Sequence, residues 1–236
     1  MPKFEAKIVS IKDETPRVKT FKLAWPNIET FTFLPGQFMM LSVPGFVNAA
    51  GITVKRAYSI ASAPADKGFL EFTITAKSPT GLSIKFHQLN VGDTVIAEGP
   101  AGHFMLKKPL HNVTFIAAGS GISSLRSMYR QLLLEGYAEP VTLLAGFKAP
   151  VDAIFKDELH HLAEKHKNFH VITSITADDA SWTGLKGRVT AVIPKVFTDV
   201  ATRDFYLCGP PEMVNDTLAV LTGLGVPRAQ IFREAW

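Results

Sequence analysis

Three short segments combine residue types suited to holding a phosphorylated aromatic ligand. Arg56-Ala57-Tyr58-Ser59 offers a planar cation for phosphate, a phenol ring for stacking and a short hydroxyl donor for a ring nitrogen. In a straight strand Arg56 and Tyr58 point one way and Ser59 the other, so only a bend turns all three on one ligand. Gly119-Ser120-Gly121-Ile122-Ser123-Ser124 follows an apolar run and opens a helical pattern. Glycines at such a junction let the backbone approach a diphosphate, and the helix N-terminus adds unpaired N–H groups and a favourable dipole. A tight turn with a serine-rich cap explains the same residues, since Ser124 stands where a dinucleotide fingerprint has its third glycine. Cys208-Gly209-Pro210-Pro211-Glu212-Met213 is a second strand-to-helix junction. Its prolines suit a first helical turn and a lone cysteine is ordinarily a small core residue; its place at the carboxyl edge of a parallel sheet makes it a ligand-site candidate.

The elements that position these segments divide the chain in two. Short runs at 4–11, 18–23, 37–43 and 70–75, several alternating polar with apolar, predict strands, and turn clusters separate them at Leu34-Pro35-Gly36, Asn90-Val-Gly-Asp93 and Glu98-Gly-Pro-Ala-Gly102. One helix is expected from about 82 to 89, with Leu82, Phe86 and Leu89 on one face. This half reads as a small six-stranded antiparallel β-barrel. Beyond Pro109 apolar strand runs at 113–118, 141–145, 169–173 and 205–208 alternate with helical patterns through 134 and from 154 to 167. Such alternation predicts a Rossmann-like, doubly wound parallel sheet. The expected domains are 1–107 and 108–236, joined by the connector 106–111.

Composition narrows the function classes. The 25 Lys and Arg against 21 Asp and Glu leave a net charge of +4, with the cations scattered along the chain, so nucleic acid is not an expected partner. No apolar stretch is long enough to cross a bilayer, and the first residues lack a signal-peptide core, so a cytoplasmic location is expected. Cys208 is the single cysteine, which excludes an internal disulfide and a cluster held by several thiolates of this chain; no metal is expected.

Together, Arg56-Ala-Tyr-Ser, Gly81-Leu82-Ser83 ahead of a helix, Gly119-Ser-Gly, Cys208-Gly-Pro-Pro and Glu234-Ala-Trp236 occur in the order and rough spacing of the ferredoxin–NADP reductase superfamily, which the chain resembles over nearly its whole length. The resemblance implies an FAD-binding barrel and an NAD(P)-binding α/β domain. By it Arg56 binds flavin phosphate, Ala57 lies between, Tyr58 stacks on the flavin and Ser59 lies beside its reacting nitrogen. Gly81, Leu82 and Ser83 present donors to the FAD pyrophosphate, with Thr75 and Lys77 on the segment before them. Gly119, Ser120 and Gly121 cradle the nucleotide diphosphate, and Cys208, Gly209 and Pro210 border the nicotinamide. Glu234 lies near the reacting rings and Trp236 covers the flavin face. Ser59, Cys208, Glu234 and Trp236 form the implied catalytic set.

The implied activity is an FAD-dependent NAD(P)H oxidoreductase that passes electrons to a ferredoxin or an oxygenase component, with the chain acting as a monomer. A free-flavin reductase and a non-enzymatic nucleotide-binding subunit are the alternatives. After the second and third strands of the α/β half stand one Lys, Lys148, and the carboxylates Asp178 and Asp179, with Arg188 later, a pattern that favours NADH over NADPH.

Overall fold

The computed structural model describes residues 1–77, 79–107 and 112–235. In the first half, β1 (Lys3–Thr15), β2 (Val18–Ala24), β3 (Phe38–Ser42), β4 (Arg56–Ser59), β5 (Leu70–Thr75) and β6 (Thr94–Ala101) form an antiparallel sheet in the order β4-β3-β6-β1-β2-β5. Alternation drives the curl: Ala6 and Ile8 of β1, Phe21 and Leu23 of β2, and Met39 and Leu41 of β3 are buried together. The two end strands approach where Ala61 N–H donates to Glu71 O over 2.8 Å and Glu71 N–H donates to Ser62 Oγ over 3.1 Å. Helix α1 (Leu82–His87) packs Leu82 and Phe86 into the same core, with Phe86 edge-on to Phe21 at 5.7 Å. Each such buried ring is worth about 1.5–3 kcal/mol over an exposed one.

The second half contains β7 (Asn112–Ala118), α2 (Ile122–Leu134), β8 (Val141–Phe147), α3 (Lys156–Lys165), β9 (Phe169–Ile175), β10 (Leu185–Lys186), α4 (Val189–Val196), β11 (Arg203–Gly209), α5 (Pro211–Gly223) and β12 (Ile231–Ala235). Its strands are all parallel, in the order β10-β9-β8-β7-β11-β12. Every residue of β8 is buried, as a strand covered by helices on both faces requires. Helices α2 and α3 contribute to one apolar cluster of the sheet and α4 and α5 to the other. The order reverses between β7 and β11, the position at which open α/β sheets bind ligands.

Two local expectations need correction. Glu98 to Ala101, expected as a turn, belongs to β6; the Gly99-Pro100 pair is accommodated at an irregularity in the β3–β6 register, between Phe38↔Ala101 and Met40↔Glu98. The helix expected from 154 begins at Lys156, because Phe155 adopts a left-handed φ of 61° and turns Ile154 and Phe155 into the core. Ile231–Ala235, for which no strand was expected, adds a sixth parallel strand beside β11.

Helix α2 docks the halves. Buried Arg126 donates to Ala61 O at 2.8 Å and pairs with Glu71 of the barrel at 2.5 Å and Glu158 of α3 at 2.6 Å. Arg130 pairs with Asp66 at 2.8 Å, and Val18 and Phe104 of the first half pack into the α2–α3 core. Burial works against the Arg126 charge, but hydrogen bonding to Glu158 and the field of Glu158 and Glu71 outweigh it, so its pKa lies above the ordinary guanidinium value.

Candidate functional site

Four side chains meet at the reversal point of the parallel sheet. Ser124, in the first turn of α2 and 1% exposed, places its Oγ 2.6 Å from Ser59 Oγ at the end of β4 and 3.1 Å from Glu234 Oε2 near the end of β12. Cys208 Sγ lies 3.5 Å from Ser124 Oγ and 3.9 Å from Glu234 Oε2, and strand register sets Cys208 directly beside Glu234. Alternation along β12 explains the aim: Phe232 stacks on Tyr206 at 4.8 Å, and Glu234, two residues on, shares that face, while Arg233 turns away to Asn215. Burial pushes the Glu234 carboxyl above the usual carboxylate range, and hydrogen bonds from Ser124 and Cys208 pull it partly back.

Beside this cluster a cleft of about 610 Å³ separates the barrel from the α/β domain. Thr75, Lys77 and Arg17 line its barrel wall, and Gly119, Ser120, Pro210, Lys148 and Arg188 line the other. Gly119 has a left-handed φ of 54°, and a Cβ built on it meets nothing within 4 Å, so backbone and ligand can approach there without obstruction. Gly121 serves a different end: a Cβ there would collide with the Cys208 carbonyl, so this glycine lets the β7–α2 and β11–α5 junctions touch. Thr75 Oγ1 is buried with no hydrogen-bond partner among the described residues. Lys77 is half-buried, which lowers its amine pKa, and its backbone N–H donates to Ser83 Oγ over 3.3 Å. Gly81 precedes α1 in extended conformation, and Leu82, 3% exposed, has only backbone to offer a ligand. Arg17, not picked out from the sequence, donates to Ala76 O over 3.1 Å and is thereby held at the cleft wall. Arg188 pairs with Glu212 at 3.2 Å.

Strand β4 lies outside the residues lining that cleft. Exposed Arg56 donates to Lys55 O over 2.8 Å and pairs with no carboxylate among the described residues. Tyr58 rests edge-on against Phe86 at 5.6 Å; burial pushes its phenol up to about 12, with Arg56 pulling the other way. Ala57 is exposed and pairs with Met40 of β3. The fold thus brings Ser59, Cys208 and Glu234 together, and puts Thr75, Lys77, Gly119, Ser120 and Pro210 around one cleft. Trp236 lies outside the described residues; Ala235 before it pairs with Gly209. Ser124 was missed as a site residue because it read as an absent glycine; the available signal was a pair of serines at a helix start due to be buried against a sheet. An unpaired cation and a partly buried phenol on β4, an orphaned hydroxyl and a left-handed glycine in the cleft fit a flavin and a nicotinamide dinucleotide.

Residues 5–106 match the family model described as the oxidoreductase FAD-binding domain, and residues 115–218 match the oxidoreductase NAD-binding domain. The chain is 31% identical to ferredoxin–NADP reductase B of Sorangium cellulosum, over 99% of this chain and 97% of that protein. It is also 31% identical to the reductase component of propane 2-monooxygenase of Gordonia sp., over 97% of this chain but 66% of that one. Among solved structures, the ferredoxin reductase in carbazole 1,9a-dioxygenase superposes with a TM-score of 0.86 at 29% identity, covering 99% of this chain and 69% of that one. A ferredoxin NADP+ reductase from Neisseria gonorrhoeae with bound FAD and NADP superposes at 0.83 and 26% identity, covering 100% and 99%. With both domain families in sequence and a full-length relative above 30% identity, the chain belongs to the ferredoxin–NADP reductase superfamily of FAD-dependent NAD(P)H reductases.

Proposed function

We propose that this protein takes a hydride from NADH onto bound FAD and passes the electrons singly to a separate carrier, a ferredoxin or the iron–sulfur component of an oxygenase. The convergence of Ser59 from the barrel with Ser124, Cys208 and Glu234 from the α/β domain carries this reading, because it makes one reaction centre from two cofactor domains. The cofactors supply the redox chemistry; the protein aligns them and excludes competitors. In this reading Arg56 and Tyr58 hold the flavin, with Gly81, Leu82 and Ser83 at its pyrophosphate. Gly119, Ser120 and Pro210 hold the nicotinamide dinucleotide, and Trp236 covers the flavin ring. The single cysteine supports an external one-electron acceptor, since this chain has too few thiolates for a cluster of its own.

The preference for NADH rests on the acids of the cleft's α/β wall. Asp152, Glu212 and Asp216 stand there with Lys148 and Arg188, and Arg188 is already paired with Glu212, an arrangement better suited to a ribose hydroxyl than to an added phosphate. The protein acts in the cytoplasm as a monomer. An absorption spectrum of the purified protein before and after anaerobic NADH or NADPH tests the reading. Expected are flavin bands that survive desalting and bleach faster with NADH. Colourless protein that reduces only added flavin would replace it with the free-flavin reaction, and faster bleaching by NADPH would reverse the cofactor preference.

A further inference from the structure

Among the described residues, Ser124 is the one group bonded to both Ser59 and Glu234, and it joins the two domains while doing so. We propose that Ser124 is a positioning residue that makes the direction of the Ser59 hydroxyl follow the charge of Glu234. The inference rests on the flavoprotein reading for its purpose, not for its geometry.

Each serine carries one donor hydrogen and can accept as well, and an ionised carboxylate only accepts. With Glu234 ionised, Ser124 donates to Oε2 and accepts from Ser59, so the Ser59 hydrogen is committed inward and its free lone pair faces outward. With Glu234 protonated, the carboxyl donates to Ser124, Ser124 donates to Ser59, and the Ser59 hydrogen is released to face outward. One proton taken from solvent by Glu234 therefore reverses both hydroxyls. With FAD held by the barrel, Ser59 would face a ring nitrogen that takes a hydrogen bond in the oxidised cofactor and bears a hydrogen in the reduced one. The two settings of Ser59 suit those two states. Among the described residues, Ser124 supplies the hydrogen-bonded link between the carboxyl and Ser59.

The other described groups around Glu234 bring no further ionised side chain into contact with it. Cys208 on β11 is a weak donor to Ser124 or to the carboxylate, Arg233 on β12 is engaged with Asn215 of α5, and the α2 and β4 contributions are the neutral Ser124 and Ser59.

The test begins with flavin-free protein, reading the Glu234 carboxyl by carbon NMR titration, with Glu234→Gln to assign the signal. Ser124→Ala should raise the Glu234 pKa, because a donor to the charged form is lost. Ser59→Ala should move that pKa in the parent and leave it unmoved in the Ser124→Ala background, whereas Ser124→Thr, which keeps the donor, should titrate like the parent. If Ser59→Ala shifts Glu234 equally in both backgrounds, or in neither, Ser124 does not couple them and the proposal fails. Ser124→Cys, a poorer donor of similar size, serves the same arms if the alanine variant does not fold. In FAD-loaded protein, Ser124→Ala should slow flavin reduction by NADH about tenfold with nucleotide affinity unchanged, and Ser124→Thr should restore the rate. Parent protein that takes up no FAD overturns the functional reading while the NMR coupling still decides the hydrogen-bond chain.

Discussion

Arg56 is an exposed guanidinium paired with no carboxylate among the described residues, on the strand that also bears Tyr58 and Ser59. Charge-assisted contacts to phosphate are worth about 1.5–3 kcal/mol, so Arg56→Ala should weaken FAD binding at least tenfold in a fluorescence titration, and undiminished affinity would remove Arg56 from the flavin site. Glu234 makes a pH prediction. Its folded pKa is raised, so above the ordinary carboxylate value of about 4.3 the folded state holds a proton that the unfolded chain has lost, and stability falls as pH rises toward the folded pKa. Glu234→Gln should flatten that part of the curve of urea midpoint against pH; a curve parallel to the parent's would mean that the carboxyl titrates normally. The types of Arg56, Tyr58, Ser59 and Cys208 were legible as candidates because each brings a chemistry that its neighbours lack. Ser124 and Arg17 were not, since a serine at a helix start and an arginine in a turn are commonplace, and only tertiary packing brings one to a carboxylate and the other to a cleft.

The two strand-to-helix junctions divide their glycines by task. Gly121→Ala would press a methyl group against the backbone of Cys208, where neither side has a flexible end to yield, so it should destabilise the protein by about 1–3 kcal/mol in urea unfolding. Gly119→Ala has open space but a left-handed φ to satisfy, and it should weaken nucleotide binding by more than it lowers stability. Equal losses of stability in the two variants would contradict this division. Most strands and helices could be read from alternation and apolar runs, as with β2, β5, β8 and α2. The element hardest to read was β12: Phe232, Arg233 and Glu234 have no strand-like run of β-branched residues, and their pairing with β11 is set from far away in sequence. The expected turn at Glu98 to Ala101 failed for a related reason, since pairing with β1 and β3 overrides the turn preference of Gly-Pro.

The two halves meet through a buried ionic cluster. Removing one partner of a buried pair costs about 3–5 kcal/mol, because the other charge stays behind unpaired. Arg126→Met takes away the nearest partner of Glu71 and Glu158 and the donor to the Ala61 carbonyl, while Lys22 and Arg130, each 3.6 Å from one of the carboxylates, remain, so a loss at the low end of that range, about 3 kcal/mol, is expected in urea denaturation. A loss below about 1 kcal/mol, the value of a surface pair, would mean that the cluster is solvated in solution. Sequence alone divided the chain into a barrel and a parallel sheet, but it did not reveal this contact, because Glu71 read as one polar position in an alternating strand.

The docking of α2 also bears on how such reductases can be recombined. One helix carries Ser124 for Ser59, Arg126 for Ala61 and Glu71, Arg130 for Asp66 and Gln131 for Ala65, so its polar contacts with the barrel come from residues 124–131. A chimera joined in the connector before β7 would separate these partners and inherit mismatched charges. A chimera that also transplants 124–131 to match the donor of 59–71 would keep them, and comparing the unfolding midpoints of the two chimeras would show whether this helix is the unit that must travel with the barrel.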